Sequence, residues 1–249
     1  MARDKFAATR RSVLGGVSAV AVAGVLPGMA LSSKALAGAA AKPKIGFIGS
    51  GRMGSGLAKL WATAGYKVML SARDLGPVRE LAKSIGPNAS VGTPAEAAAF
   101  GDVVVVTVPY NALPQVGKDY AAQLKGKIVL DTCNPNRNRD GDMVKDALEK
   151  GTGVMDQIYL PGTRLVRAFN AIPFTILAPE AHSTGEKIGI ELAADDQGAL
   201  AVAKQLVIDA GFEPVVVGGL STAKLFDAGT PIYPKALPAS QVRQMLGVK

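Results

Sequence analysis

The apolar residues of this chain fall into short runs that alternate with longer amphipathic stretches. The valine run at 103–106 is continuous and β-branched, which is typical of a parallel strand buried on both faces. Such runs predict strands at residues 45–48, 67–70, 90–91, 102–108, 128–130, 165–169, 188–192 and 215–217. Helical spacing predicts a helix that begins near Met53, helices at 78–85, 94–100, 113–124 and 199–210, and a terminal helical segment.

The alternation of strands and helices predicts an α/β fold with a doubly wound parallel sheet. Ligands of such sheets bind beyond the carboxyl ends of the strands. The 249 residues, of which 48% are hydrophobic and 19% charged, suffice for one large or two small domains with a proper core. Candidate chemistry is therefore expected where the strands end.

A glycine-rich turn joins the first predicted strand to the first predicted helix. Its sequence, Gly49-Ser50-Gly51-Arg52-Met53-Gly54, fits the pattern G-x-G-x-x-G. Gly49 permits the tight turn, Gly51 lets backbone N–H groups approach a pyrophosphate, and Gly54 lets the helix pack closely on the strand. The positive end of the helix favours the anion. The pattern predicts a Rossmann dinucleotide site, and a purely structural glycine turn is the alternative.

The residues after the second strand indicate which nucleotide binds. An NAD enzyme would place an acidic residue there, on the ribose 2′-hydroxyl. This chain has Ser71-Ala72-Arg73, and a guanidinium with a neighbouring hydroxyl suits a 2′-phosphate. The segment predicts NADP; the alternative is that Arg73 is a solvated loop charge and Asp74 a displaced acid.

Half of the net charge of +8 lies in residues 1–41, which hold five cations and one acid. The rest of the chain has no run of Lys and Arg interleaved with aromatic residues, so we expect no nucleic-acid partner. Its modest positive charge would favour a polyanionic cofactor.

The first 41 residues have the pattern of an export signal. Thr9-Arg10-Arg11-Ser12-Val13-Leu14 is a twin-arginine motif, and a moderately apolar, glycine-containing run follows at 17–31. Small residues then offer A-x-A cleavage sites that end at Ala37, Ala39 or Ala41. The pattern predicts a twin-arginine signal peptide at 1–41, a periplasmic or exported protein and no stable membrane span after cleavage. The alternative is an uncleaved membrane anchor.

Three segments at predicted strand ends carry short polar groups and prolines, namely 109–111, 131–136 and 168–173. They show no charged cluster, metal-ligand set or Ser-His-Asp arrangement, so we predict no catalytic side chain and no metal. The single histidine, His182, is expected at the surface, and the single cysteine, Cys133, in the core rather than as a nucleophile. Hydride transfer is compatible with such a site, because the cofactor supplies the reacting carbon.

These motifs, together with 45–51 and a late segment at 211–224, resemble the family of NADPH-dependent reductases of coenzyme F420. The likeness extends over residues 43–229 and includes Val108-Pro109, Asp131-Thr132-Cys133-Asn134-Pro135 and Arg167-Ala168-Phe169-Asn170. In two respects the chain departs from the family: Pro77 stands where the family usually has a lysine, and a twin-arginine leader is not typical.

The resemblance implies roles for individual residues. Residues 50–53 would bind the pyrophosphate, and Ala72 and Arg73 the 2′-phosphate. Pro109, Asn134 and residues 168–170 would surround the nicotinamide, and the segment near Leu220 would help cover a deazaflavin. The complete set of predicted cofactor-binding residues is Gly49, Ser50, Gly51, Arg52, Met53, Gly54, Ser71, Ala72, Arg73, Val108, Pro109, Asn134, Ala168 and Asn170.

The acceptor of the hydride is expected to be F420 or a flavin. A flat apolar surface is expected from Pro109, Tyr110, Ile172, Pro173 and Leu220, with the amides of Asn134 and Asn170 on ring edges. The chain would then comprise the leader, an NADP-binding domain at 43–176 and a small C-terminal α/β extension at 177–249 that completes the acceptor site. A homodimer is a further expectation.

Other interpretations differ in class. The β-hydroxyacid dehydrogenases and pyrroline-5-carboxylate reductases share the opening motif, but they need helical domains for which too little chain follows the sheet. A nucleotide-binding module or a partner subunit without turnover is the remaining alternative.

Overall fold

The computed structural model describes residues 41–249, which form one compact unit. The twin-arginine motif and the cleavage sites up to Ala39 lie outside the described residues. The strands are β1 (Ile45–Ile48), β2 (Val68–Leu70), β3 (Ala89–Val91), β4 (Val103–Val106), β5 (Ile128–Asp131), β6 (Arg164–Arg167), β7 (Gly189–Ala193) and β8 (Glu213–Gly218). The helices are α1 (Arg52–Thr63), α2 (Gly76–Ile85), α3 (Pro94–Phe100), α4 (Leu113–Asp119), α5 (Ala121–Leu124), α6 (Met143–Lys150), α7 (Thr152–Tyr159), α8 (Leu177–Glu180), α9 (Gln197–Asp209) and α10 (Ala239–Leu246).

All strands of the described region join one sheet in the order β3-β2-β1-β4-β5-β6-β7-β8. Neighbours from β3 to β6 are parallel, β7 is antiparallel to β6, and β8 is parallel to β7. The predicted α/β fold with a doubly wound parallel sheet is confirmed. The last two strands run in the opposite direction and extend the same sheet; the division into domains at 176 stays a prediction.

Both faces of the sheet are covered by apolar side chains. On one face, Trp61 of α1 lies between Phe47 and Phe169, with ring centroids 5.9 Å from each. Its indole N–H donates to the carbonyl of Leu206 in α9 over 2.8 Å, which links the first and last large helices. The other face packs against Tyr110, α4 and neighbouring residues. Parallel strands covered on both faces explain the continuous apolar runs of the sequence.

Local signals fix the ends of several elements. Helix α3 begins with a capping box, because the Thr93 hydroxyl accepts from the Glu96 N–H while the Glu96 carboxylate accepts from the Thr93 N–H. The predicted strand at 165–169 is two residues too long: β6 ends at Arg167, and Phe169 has a φ of 58°. The predicted strand at 102–108 likewise ends early, at Val106.

The sequence interpretation of the helices differs from the structure in one predicted helix and in two helices that it missed. The predicted helix at 113–124 is interrupted at Tyr120, where α4 gives way to α5. Helices α6 and α7 were not predicted from the sequence. Within residues 41–249, none of the helices has both the length and the apolar character required to cross a membrane.

Candidate active site

The glycine turn after β1 packs tightly against the start of the loop after β4. Gly49 has a φ of 98°, and a Cβ built on it would lie 2.6 Å from the Thr107 carbonyl oxygen. A Cβ on Gly54 would lie 2.5 Å from the Thr107 hydroxyl oxygen and 2.6 Å from the Gly49 carbonyl oxygen. That hydroxyl donates to the Gly49 carbonyl over 2.6 Å. Side chains at 49 and 54 would therefore collide with the protein itself.

Gly51 has a different environment. It is exposed, its φ is −70°, and a Cβ built on it would meet no described atom within 4 Å. It is also the N-cap of α1, and it supplies no side-chain cap to a helix without an acid in its first turn. The N-terminal N–H groups of such a helix need an acceptor from elsewhere. The open space above Gly51 fits a pyrophosphate, which would satisfy these donors.

The end of β2 differs from the sequence interpretation at Ser71. Its side chain is fully buried, and its hydroxyl donates to the Phe47 carbonyl over 2.5 Å. The expected contact of this hydroxyl with a 2′-phosphate does not fit that geometry. The neighbouring Ser50 hydroxyl donates to the Ser71 carbonyl over 2.9 Å, so the two serines tie β2 to the glycine turn.

Arg73 is exposed at the same strand end. The Asp74 carboxylate, the alternative ribose ligand, accepts from the Gly76 N–H over 2.9 Å and thereby closes the turn into α2. Arg73 is therefore the exposed cation at the end of β2, and a guanidinium suits a phosphate better than a ribose hydroxyl.

A cleft of about 290 Å³ lies beyond the ends of β4 and β5. We call it the nicotinamide cleft, after the sequence-based prediction that Pro109 and Asn134 surround the nicotinamide. It brings together four predicted residues, Met53, Val108, Pro109 and Asn134. Its complete lining is Met53, Thr107, Val108, Pro109, Thr132, Cys133, Asn134, Pro135, Asn136, Arg139 and Tyr233. Arg139 and Tyr233 were not predicted, and Tyr233 comes from a segment with no recognisable motif.

Asn134 lines this cleft, whereas Asn170 is buried and does not. The Asn134 side chain lines it and donates to the Asn170 carbonyl over 2.7 Å. The Asn170 side chain is buried behind the wall and donates to the Phe226 carbonyl over 3.3 Å. The expected contact of the Asn170 amide with a ring edge therefore does not fit; Asn170 instead positions Asn134. Ala168 is fully buried in the core.

The expected apolar surface also needs revision. Tyr110, Ile172 and Leu220 are buried, and Tyr110 packs edge-on against Tyr159 with ring centroids 6.1 Å apart. Of the residues proposed for that surface, only Pro109 lines the nicotinamide cleft, where it is joined by Pro135 and Tyr233.

A bidentate ion pair stiffens the segment after β5. The Arg139 guanidinium donates to both oxygens of the buried Asp140 carboxylate, over 2.6 and 2.7 Å. Asp140 also accepts from the Asn136 N–H over 2.6 Å. Although burial opposes ionisation, the hydrogen bonds from Arg139 and Asn136 lower the pKa of Asp140. Because its charge is matched by Asp140, Arg139 is not a free clamp for a substrate carboxylate.

A buried ionic cluster lies beneath the strand ends, where the sequence predicted none. The fully buried Arg167 lies 2.8 Å from an Asp131 oxygen, 3.2 Å from an Asp156 oxygen and 3.7 Å from an Asp227 oxygen. Asp131 accepts from the Cys133 N–H over 2.9 Å. Burial, reinforced by the Asp131 charge, raises the pKa of Asp156 well above its ordinary value. The cluster ties the cleft segment after β5 to α7 and to the segment after 225.

The remaining candidate groups have structural environments. Cys133 is buried, and burial raises the pKa of its thiol well above its ordinary value, so the thiol is a poor nucleophile. His182 is exposed, as predicted. Across residues 41–249, no group of three His, Cys, Asp or Glu side chains is arranged to hold a metal ion.

Several known proteins are similar to this chain in sequence or in fold. Residues 44–135 match the family described as NADP oxidoreductase, coenzyme F420-dependent. The F420-dependent NADP reductase of Methanothermobacter thermautotrophicus is 30% identical over 200 residues, which cover 74% of this chain and 84% of that protein. Its counterpart from Methanothermobacter marburgensis is 29% identical over 202 residues, 74% of this chain and 87% of that protein.

A similar fold occurs in the crystal structure of a putative F420-dependent NADP reductase from Arthrobacter sp. FB24. The TM-score is 0.65 at 22% identity, with 73% of this chain and 87% of that one covered. Sequence and fold therefore agree: the chain belongs to the family of F420-dependent NADP reductases and is an NADP-dependent oxidoreductase.

Proposed function

We propose that this protein transfers hydride between NADPH and a planar acceptor of the deazaflavin or flavin type, with F420 as the first candidate. The names of the curated relatives support F420. The order of strands supports the placement of NADPH, because Arg73 follows β2, Gly51 follows β1, and the nicotinamide cleft lies beyond β4 and β5. A dinucleotide laid along this edge would meet the three regions in sequence.

The residues that line the nicotinamide cleft are our reason for proposing a planar acceptor. A small 2-hydroxy acid needs a cation for its carboxylate and a general base for its hydroxyl. The single cation of the lining, Arg139, is paired with Asp140, and the lining contains no His, Lys, Asp or Glu. Its prolines, amides and one tyrosine suit the faces and edges of a wide planar ring.

The residues of the chain would hold the two rings in place for hydride transfer. When bound, a dihydronicotinamide would supply the hydride, and water would supply the proton that a reduced deazaflavin also requires. Pro109 and Pro135 would hold ring faces, and Asn134, itself fixed by Asn170, would orient a ring edge. Such a site lowers the barrier through proximity and orientation, without a catalytic side chain.

A panel of acceptors tests the proposal. Purified residues 42–249 with NADPH are expected to reduce F420 or, failing that, a free flavin, and to leave 2-oxo acids and cyclic imines unreacted. Binding of NADPH without turnover of any acceptor would favour the alternative, a nucleotide-binding module or partner subunit.

We also propose that residues 1–41 direct export through the twin-arginine pathway. The support is the motif around Arg10 and Arg11 and the small residues that follow the apolar run. Because this pathway carries folded proteins, the domain would acquire NADP in the cytoplasm before export.

A further inference from the structure

A second cleft adjoins the nicotinamide cleft and has a volume of about 580 Å³. The two share Pro135, Asn136 and Tyr233 as a common wall. The rest of the second cleft is formed by Arg137, Val144, Ala147, Leu148, Thr152, Lys224, Asp227, Ala228, Gly229 and Thr230. At about 290 Å³, the nicotinamide cleft is at the lower limit of ligand pockets, so an acceptor that meets the nicotinamide there must extend elsewhere.

The second cleft carries two cations that form no salt bridge with another described residue. Arg137 and Lys224 are exposed, and neither forms a salt bridge within residues 41–249. The one acid of the lining, Asp227, accepts from the Thr152 N–H and hydroxyl and lies beside Arg167, so its charge is already engaged. The cleft therefore presents net positive charge towards a ligand.

A polar atom at this cleft also lacks a hydrogen-bond partner among residues 41–249. The Thr230 hydroxyl is buried, and it makes no hydrogen bond with described residues. Buried hydroxyls are nearly always hydrogen-bonded in folded proteins. This hydroxyl therefore marks a place in the wall of the cleft where the described residues supply no acceptor.

The adjoining groove beyond Arg137 differs in charge. Arg137 and Lys145 line it together with Asp142 and Glu149, so its formal charges balance. Free positive charge is thus concentrated in the second cleft, where Arg137 and Lys224 share one lining.

We infer that the second cleft binds an anionic side chain of the hydride acceptor, so that the protein selects ring acceptors with a phosphorylated or carboxylated tail over the same ring with a neutral tail. The inference rests on the proposed function and adds to it the part of the acceptor that determines selectivity. Arg137 and Lys224 contact the tail as specificity residues, and the ring lies in the nicotinamide cleft.

The test compares F420 with its dephosphorylated form, which has the same deazaflavin ring and a neutral ribityl chain. Steady-state kinetics with NADPH are measured for the unaltered protein and for the double variant Arg137→Gln/Lys224→Gln. The matched control is Lys125→Gln/Lys204→Gln, which removes two exposed cations that line neither cleft. Thermal melting checks that all three proteins are folded.

The unaltered protein is expected to show a KM for F420 at least about 10-fold below that for the neutral form, consistent with one or two charge-assisted contacts. The double variant should raise the KM for F420 by about 10-fold and leave its kcat and the KM for the neutral form within about 2-fold. Added salt should raise the KM for F420 more than the KM for the neutral form, because salt screens the charge-assisted contacts. The control variant should behave as the unaltered protein.

Equal KM values for the two deazaflavins, unchanged in the double variant, would overturn the inference and leave the proposed function in place. Failure to reduce either deazaflavin or any free flavin would overturn both. Binding of F420 to the NADP⁺-loaded protein, followed by calorimetry, is a readout independent of turnover: equal affinity in the double variant would likewise overturn the inference.

Discussion

Two glycines of the same turn should respond in opposite ways to a new side chain. Gly51→Val places a branched side chain where the structure has open space, and its φ of −70° is accessible to valine. Gly54→Ala places a Cβ 2.5 Å from the Thr107 hydroxyl and 2.6 Å from the Gly49 carbonyl. The first variant should lose the ligand and keep the fold, whereas the second should strain the fold.

The magnitudes follow from these environments. A side chain at 51 would deny the pyrophosphate at least one charge-assisted hydrogen bond, worth about 1.5–3 kcal/mol, so the Kd for NADPH should rise about 10- to 150-fold. Overpacking at 54 should lower the free energy of unfolding by about 1–3 kcal/mol, or about 2–12 °C in Tm for a domain of this size. The Tm of Gly51→Val without ligand should change by less than about 2 °C.

Calorimetric titration with NADPH and thermal unfolding without ligand measure the two effects separately. Gly51→Ser, with a smaller side chain in the same space, serves as an intermediate variant that should bind NADPH more weakly than the unaltered protein and more tightly than Gly51→Val. Unimpaired binding in Gly51→Val would refute the assignment of this space to the pyrophosphate. A full loss of stability in the same variant would show that the space is needed by the protein itself.

Three further predictions concern other regions. Arg73→Ala should raise the Kd for NADPH by about one to two powers of ten and leave the Kd for NADH nearly unchanged. The control Lys67→Ala, at the opposite end of β2, should change neither Kd. An equal rise in both Kd values for Arg73→Ala would contradict a contact between Arg73 and the 2′-phosphate. Burial raises the pKa of Glu191 to about 7, so the native state holds this proton more tightly than the unfolded state does. Its contribution should therefore lower the free energy of unfolding, by up to about 3 kcal/mol, as pH rises from about 4.5 to 7. In denaturant titrations at a series of pH values, Glu191→Gln should reduce this fall in the free energy of unfolding. An unchanged dependence on pH would show that Glu191 does not cause it. Replacement of Arg10 and Arg11 by Lys should retain the precursor in the cytoplasm by cell fractionation, and normal export would point to another route.

Sequence patterns specify the part of this fold in which local signals and tertiary packing agree. In the glycine turn, the valine strand β4 and the capping box of α3, the local sequence alone indicates the local structure. Helices α6 and α7 do not, since they are short, begin without a side-chain cap and are separated by the single residue Gly151. Their position depends on contacts such as that of Thr152 with Asp227, 75 residues away along the chain.

In the candidate site, too, some features follow from the local sequence and others depend on tertiary contacts. Gly51 and Arg73 could be proposed as ligand contacts because residue type and position after a strand suggest their chemistry, and the structure leaves both exposed. Ser71 could not be assigned correctly, because whether a hydroxyl faces a ligand or a neighbouring strand depends on packing. Tyr233 and the Arg167 cluster come from residues far apart in the chain, and neither has a local pattern that could reveal its partners.

The most direct test of the proposed function follows the hydride itself. Protein is mixed with F420 and NADPH that carries deuterium at C4 of the nicotinamide, and the reduced deazaflavin is analysed by mass spectrometry and NMR. We predict deuterium at C5 of the deazaflavin ring, transferred from one face of the nicotinamide only. Absence of transfer to F420 and to free flavins, together with turnover of a 2-oxo acid or an imine, would contradict the proposed function.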